Sequence, residues 1–174
     1  MSLKPLQKLT LVHIAIVGIL ACTIAQSKSR LPIPRFVSLK PDEVNLRSGP
    51  GFQYPIKWSY KRKGYPMEVS AEFENWRQLR DIDGTEGWVN GNLITPKRRI
   101  VAIPKGKINT GDHQEIMLLK YPNETARPVV RIEYGVIGDV KKCNQHWCKV
   151  VIRSYSGWIK KENIWGVYKD EIIR

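Results

Sequence analysis

Histidine and cysteine are scarce in this chain, three of each in 174 residues, and their scarcity removes several chemistries at once. Beyond residue 25 only His113 and His146 remain, whereas a nucleophilic cysteine needs a positioned histidine and an orienting partner. A metal site built on His146, Cys143 and Cys148 lacks a fourth ligand nearby. Paired carboxylates, a phosphate-cradling glycine loop and a serine elbow are also missing. Arg47-Ser48-Gly49-Pro50-Gly51 reads as a turn and not as a strand-to-helix elbow. Asp81, Asp83 and Glu86, set among Gly84 and Gly87, read as a hairpin turn. No catalysis, metal or cofactor is expected.

Long apolar runs are confined to one place. The first 25 residues combine a basic start at Lys4 and Lys8 with an apolar run from Leu9 to Ala21 and small residues at Thr23 and Ala25, the layout of a secretory signal cleaved before Gln26. An uncleaved anchor and lipid attachment at Cys22, in Ile19-Leu20-Ala21-Cys22, are the alternatives. The anchor is disfavoured because the run falls short of the ~20 residues a span needs, and the lipobox places Leu20 where a small residue is usual. After Ala25 no stretch approaches spanning length, so no membrane span is expected in the mature chain. Its cysteines are then Cys143 and Cys148, an even number in an oxidising compartment, and the expectation is a structural disulfide across a hairpin.

Acidic residues are the minority: 16 against 29 Lys and Arg, for a formal net charge of +13. Such an excess favours an anionic partner or surface. Nucleic acid shares those electrostatics, but export removes the opportunity. The runs Lys61-Arg62-Lys63, Lys97-Arg98-Arg99 and Lys141-Lys142 are short and scattered, and a solvated surface is their default reading.

Helical periodicity is absent almost throughout, while Pro and Gly punctuate runs of β-branched and aromatic residues. The texture is all-β, and it repeats. Asn75-Trp76-Arg77-Gln78-Leu79 lies on His146-Trp147-Cys148-Lys149-Val150, and Gly87-Trp88-Val89 on Gly157-Trp158-Ile159. Tyr54-Pro55-Ile56 likewise matches Arg127-Pro128-Val129, and Asn92-Leu93-Ile94 matches Asn163-Ile164-Trp165. Copies this small suit closed barrels, which remove exposed sheet edges. The expected order is a signal peptide at 1–25, a Pro-containing linker at 26–35, module one at 36–97, a basic linker at 98–112, module two at 113–169 and a C-terminal tail at 170–174. Within the linker, Ile100-Val101-Ala102-Ile103 could form a short strand packed on a barrel.

The segments Pro34-Arg35-Phe36-Val37-Ser38-Leu39-Lys40, Val44-Asn45-Leu46-Arg47-Ser48-Gly49-Pro50-Gly51, Gly84-Thr85-Glu86-Gly87-Trp88-Val89, Gly135-Val136-Ile137-Gly138, Trp147-Cys148 and Trp165-Gly166-Val167-Tyr168 resemble bacterial SH3 domains. More closely, they are similar to a family of exported tandem SH3 proteins of alphaproteobacteria. The resemblance implies two small SH3-like β-barrels in the periplasm or cell envelope, and a role in binding peptidoglycan or a cell-wall partner. Module two departs from the pattern, with Leu119-Lys120-Tyr121-Pro122-Asn123-Glu124 in place of the glycine-rich turn. Asn90 and Leu93 stand where signalling SH3 domains place a Pro and a Tyr of their peptide groove, which argues against polyproline recognition.

Strand alternation sets the expected faces. Leu79 and Val150 follow the matched tryptophans by three, so Trp76 and Trp147 should point away from the interior, as ligand platforms or packed beneath a neighbouring loop. Trp88 and Trp158 are expected to pack structurally. Tyr54, Trp58 and Tyr60 form an aromatic stripe in module one, where module two has Arg127, Arg131 and Glu133. The candidate ligand-binding residues are therefore Tyr54, Trp58, Tyr60, Trp76 and Arg47. The function they suggest is a non-catalytic envelope binding or scaffolding protein recognising peptidoglycan or an envelope protein. A structural accessory without a soluble ligand and, more remotely, a cell-wall hydrolase are the alternatives.

Overall fold

The computed structural model describes residues 31–103 and 116–174. The leader with Cys22, the first half of the first linker and His113 lie outside the described residues.

The described chain is all-β. Its first half runs β1 (Arg35–Leu39), β2 (Val44–Arg47), β3 (Ile56–Tyr60), β4 (Pro66–Phe73), β5 (Trp76–Arg80), β6 (Glu86–Asn90), a 3-10 turn (Gly91–Leu93) and β7 (Ile94–Thr95). Its second half runs β8 (Arg99–Ala102), β9 (Ile116–Leu119), β10 (Pro128–Ile132), β11 (Ile137–Cys143), β12 (Trp147–Ile152), β13 (Tyr155–Lys160), a 3-10 turn (Lys161–Asn163) and β14 (Ile164–Trp165). The sheet orders are β3-β2-β6-β5-β4-β1-β7 and β10-β9-β13-β12-β11-β8-β14, the same topology twice.

Each sheet wraps its own apolar core. Val37, Leu39, Val44, Leu46, Met67, Val69, Leu79 and Val89 fill the first. Ile100, Ile116, Leu118, Val150, Ile152, Ile159 and Ile164 lead the second. The alternation that positions them is plain in β2, where Val44 and Leu46 point in while Asn45 and Arg47 are half-exposed. As the spacing to Leu79 and Val150 implies, Trp76 and Trp147 stand outside both core clusters.

Two segments outside the expected module bounds are fixed to the second sheet, one of them the short strand anticipated at Ile100-Val101-Ala102-Ile103. Residues 98–112 are not all linker, because Arg99–Ala102 is the first strand of the second barrel, pairing with Ile137–Asp139 and with Ile164–Trp165. Ile100 and Ala102 are fully buried, and that burial drives the short apolar run into the sheet. The 170–174 tail is also fixed: Ile173 exchanges backbone hydrogen bonds of 3.1 and 2.7 Å with Cys143, and its side chain packs on the second core.

The join between modules is therefore short and packed. Phe36 turns away from its own core, its ring centroid 5.0 Å from that of Trp165 and 4.7 Å from that of Tyr168. The Tyr168 hydroxyl donates to buried Glu68 at 2.9 Å, and Arg80 Nε donates to the same carboxylate at 2.9 Å. Arg62 donates to the Gly135 carbonyl across the same join. Lys97 and Arg99 both reach Asp139, at 2.7 and 2.9 Å.

Candidate functional site

The turn after β2 is built around Arg47. Its guanidinium donates to the carbonyls of Phe52 at 3.1 Å and Tyr54 at 2.7 Å, and lies 5.6 Å from the centre of the Phe52 ring. Backbone bonds from Ser48 to Pro55 (3.0 Å) and from Gly51 to Gly49 (3.0 Å) close the loop. Gly49 is required by space: a Cβ there would lie 2.5 Å from the Tyr54 ring, which the loop folds over it. Arg47, expected to contact ligand, thus spends this nitrogen on holding the loop.

The loop carries the aromatics outward. Phe52 is 72% exposed, Tyr54 39%, Ile56 49% and Trp58 56%, so one apolar ridge runs from the loop tip along β3. Strand β3 ends its sheet, pairing only with β2. Residues there have fewer neighbours to cover them, which is why the stripe remains in solvent.

Of the five candidates, Tyr54 and Trp58 lie on this ridge. Trp76 does not offer an open face. It is 8% exposed and meets Phe52 edge-on with centroids 5.0 Å apart, so it is the support beneath the loop. Tyr60 continues the alternation but turns into the end of the barrel, packs on the core and on Tyr65, and donates its hydroxyl to Asp81. Burial, then the hydrogen bond to Asp81, pushes the Tyr60 phenol well up from its ordinary value. Burial and the nearby Asp81 push Tyr65 up to about 12. Asp81 is itself buried and accepts from the backbone N–H groups of Asp83 (3.0 Å) and Thr85 (2.7 Å), which fixes the turn read from the sequence.

Phe52 and Ile56 were missed as ridge residues. The signal was available in the even spacing of Phe52, Tyr54, Ile56 and Trp58, but the first lies in a glycine-rich turn where alternation carries no meaning.

Module two lacks the aromatic stripe, with Arg127 and Arg131 at the places that the repeat matches to Tyr54 and Trp58. Its edge strand β10 shows Val129 at 39% exposure between Arg127 and Arg131. Cys143 and Cys148 are bonded, directly opposite each other in the β11–β12 hairpin with Cα atoms 4.0 Å apart. Cys143 gives its backbone bonds to Ile173 instead, so this is a non-hydrogen-bonded pair, the kind that brings side chains closest. Trp88 and Trp158 are half-buried and lie outside both core clusters, on the outer faces of their sheets.

Two copies of one topology, with residues 40–96 and 113–166 each matching the model for "Bacterial SH3 domain", decide the family. The chain belongs to the bacterial SH3 domain family. Among curated proteins this tandem SH3 chain is similar to "Putative N-acetylmuramoyl-L-alanine amidase YrvJ" of Bacillus subtilis (strain 168), at 27% identity over 125 residues. That match takes in 71% of the chain and spans 24% of the length of YrvJ. Among solved structures, NlpC2 from Trichomonas vaginalis aligns over 76% of this chain and 48% of its own, at 10% identity and a TM-score of 0.33. An NlpC/P60 family protein from Bacillus cereus ATCC 10987 aligns over 75% and 55%, at 11% identity and a TM-score of 0.33. TM-scores of that size are too low to build on.

Proposed function

We propose that this tandem SH3 protein is a non-catalytic component of the cell envelope that binds peptidoglycan through module one. The observation that carries the reading is the ridge of Phe52, Tyr54, Ile56 and Trp58, exposed together on one sheet edge and held by Arg47 and Gly49. Aromatic faces in solvent stack on sugar rings or cover peptide side chains, and contiguous exposed apolar surface marks an interaction site. Export is supported by the leader pattern and by the Cys143–Cys148 bond, which belongs to an oxidising compartment. The similarity to a protein named as an amidase, of which this chain spans 24%, supports a wall polymer as the ligand class. A non-catalytic role is further supported by the carboxylates Glu68, Glu72, Asp139 and Glu171, each tied to arginine or lysine as structural ion pairs.

Retention on purified insoluble murein tests this reading. Wild type should be retained and Trp58→Ala released, with folding intact because Trp58 is exposed. Unaltered retention of the variant would move the site elsewhere. Absence of wild-type retention, with capture of an envelope protein from an extract instead, would favour the protein-scaffold alternative. Release of soluble fragments from the murein would reveal a hydrolase.

A further inference from the structure

The outer face of module two differs in charge from that of its twin. In each sheet one row of residues crosses five strands in register. In module one the row reads Ala71, Gln78, Trp88, Arg47 and Ile56, across β4, β5, β6, β2 and β3. In module two it reads Lys142, Lys149, Trp158, Leu119 and Pro128, across β11, β12, β13, β9 and β10. The tryptophan is kept, the two uncharged residues before it have become lysines, and the arginine after it has become leucine. Lys142 reaches over the kept ring, its Nζ 5.5 Å from the centre of Trp158. None of the five residues of the second row is buried.

The strands that carry the rows repeat the contrast. Besides the row, β9 to β13 hold the cations Arg131, Lys141 and Lys160. Asp139 is the one acid in those five strands, and Lys97 and Arg99 already hold it. The matching strands of module one hold three acids, Glu68, Glu72 and Glu86.

Folding alone does not favour the change. Directly opposed like charges on a sheet face are destabilising, and Lys142 and Lys149 are such a pair. A layer of anions over the face reverses the sign of that interaction.

The form of the row selects the anion. It lies on the outside of a sheet, basic at one end and apolar at the other, with Trp158 between. A soluble phosphate polymer would meet the lysines and leave Trp158, Leu119 and Pro128 in water. A layer of lipid headgroups serves both halves, with phosphates for the lysines and the boundary of the acyl region for the apolar end. Tryptophan settles at headgroup level, and lysine lays its stem along apolar surface while its ammonium group stays outside. Lys142 above Trp158 has that arrangement.

We propose that module two docks on an anionic lipid surface through this face, with Lys142 and Lys149 on headgroup phosphates and Trp158 at headgroup level. The site is separate from the module one ridge and does not depend on it.

Co-sedimentation of the full chain with phosphatidylcholine vesicles, with and without phosphatidylglycerol, tests the proposal. The protein should bind the anionic vesicles, more weakly as salt rises, and leave the neutral ones. Trp58→Ala should bind as wild type does. Lys142→Ala combined with Lys149→Gln gives the row the residues of module one, so this variant should fold with its thermal midpoint level or raised. It should bind roughly thirtyfold more weakly, the effect of taking two lysines from an anionic surface. Arginine at both positions should retain binding. Undiminished binding by the folded double variant, or equal binding to neutral vesicles, would overturn the proposal. So would failure to bind the anionic vesicles, and if inorganic polyphosphate still bound, the face would belong to a soluble polymer.

Discussion

Replacing Gly49 by alanine places a methyl carbon 2.5 Å from Cδ1 and 2.6 Å from Cε1 of Tyr54. Ordinary contact begins near 3.4 Å, so the ring must retreat by the better part of an ångström. Gly49 does not occupy the left-handed region, and the cost is therefore steric alone. Overpacking of this kind costs ~1–3 kcal/mol. In a protein of this size each kcal/mol moves the thermal midpoint by roughly 2–4 °C. The displaced ring also drags the segment whose carbonyls Arg47 holds, so the ridge should lose its shape together with some stability. The assay is a double-mutant cycle of Gly49→Ala and Tyr54→Ala, read by urea denaturation. Once the ring is gone the methyl group has nothing to strike, so Gly49→Ala should cost almost nothing in the Tyr54→Ala background. Equal costs in both backgrounds would refute the claim that Gly49 is there to receive Tyr54.

Other outcomes follow from the charges and the crosslink. Tyr65 is raised to about 12, and burial also raises Tyr60 and Tyr168, so these phenols should stay protonated when ordinary tyrosines ionise near 10. A raised folded-state value means stability fully present below about pH 10 and lost as pH climbs toward 12. Absorbance at alkaline pH should then show two tyrosine populations, and a single one near 10 would contradict the buried hydroxyl contacts. For Glu171, burial pulls upward, but the hydrogen bonds from Arg98 prevail and hold it below the usual carboxylate range. Lys97 and Arg99 do the same for Asp139. Their contribution is present above about pH 4 and is lost as pH falls below it. Glu171→Gln should flatten that acid limb of the stability curve. Reducing Cys143–Cys148 should cost roughly 2 kcal/mol, the value for a loop this short, without altering the first barrel. A loss of both barrels together would show that the second core supports the first through Phe36, Trp165 and Tyr168.

Much of the fold was legible because its signals are local. The matched Trp-x-x-Leu and Trp-x-x-Val spacings placed Trp76 and Trp147 off the core, and the flanked Cys143 and Cys148 found each other across one hairpin. What escaped depends on contacts distant in sequence. Alternation with Val37 and Leu39 turns Phe36 off the first core, but it does not say that Trp165 and Tyr168, far along the chain, will cover it. Nothing near residue 171 foretells that Arg98 will hold it, at 2.5 and 2.9 Å. The aromatic site was half legible for the same reason. Alternation identifies which face Tyr60 and Trp58 share, but not that one end of that face is capped by Asp81 while the other hangs beyond the barrel in solvent.

The central claim, that the ridge of module one binds the wall, is tested most directly by titrating wild type and Trp58→Ala with soluble murein fragments of defined composition. A central exposed tryptophan of a binding surface is worth about 2 kcal/mol or more, which is roughly a thirtyfold loss of affinity. The account predicts that loss with an unchanged thermal midpoint. Equal affinities for the two proteins would contradict it.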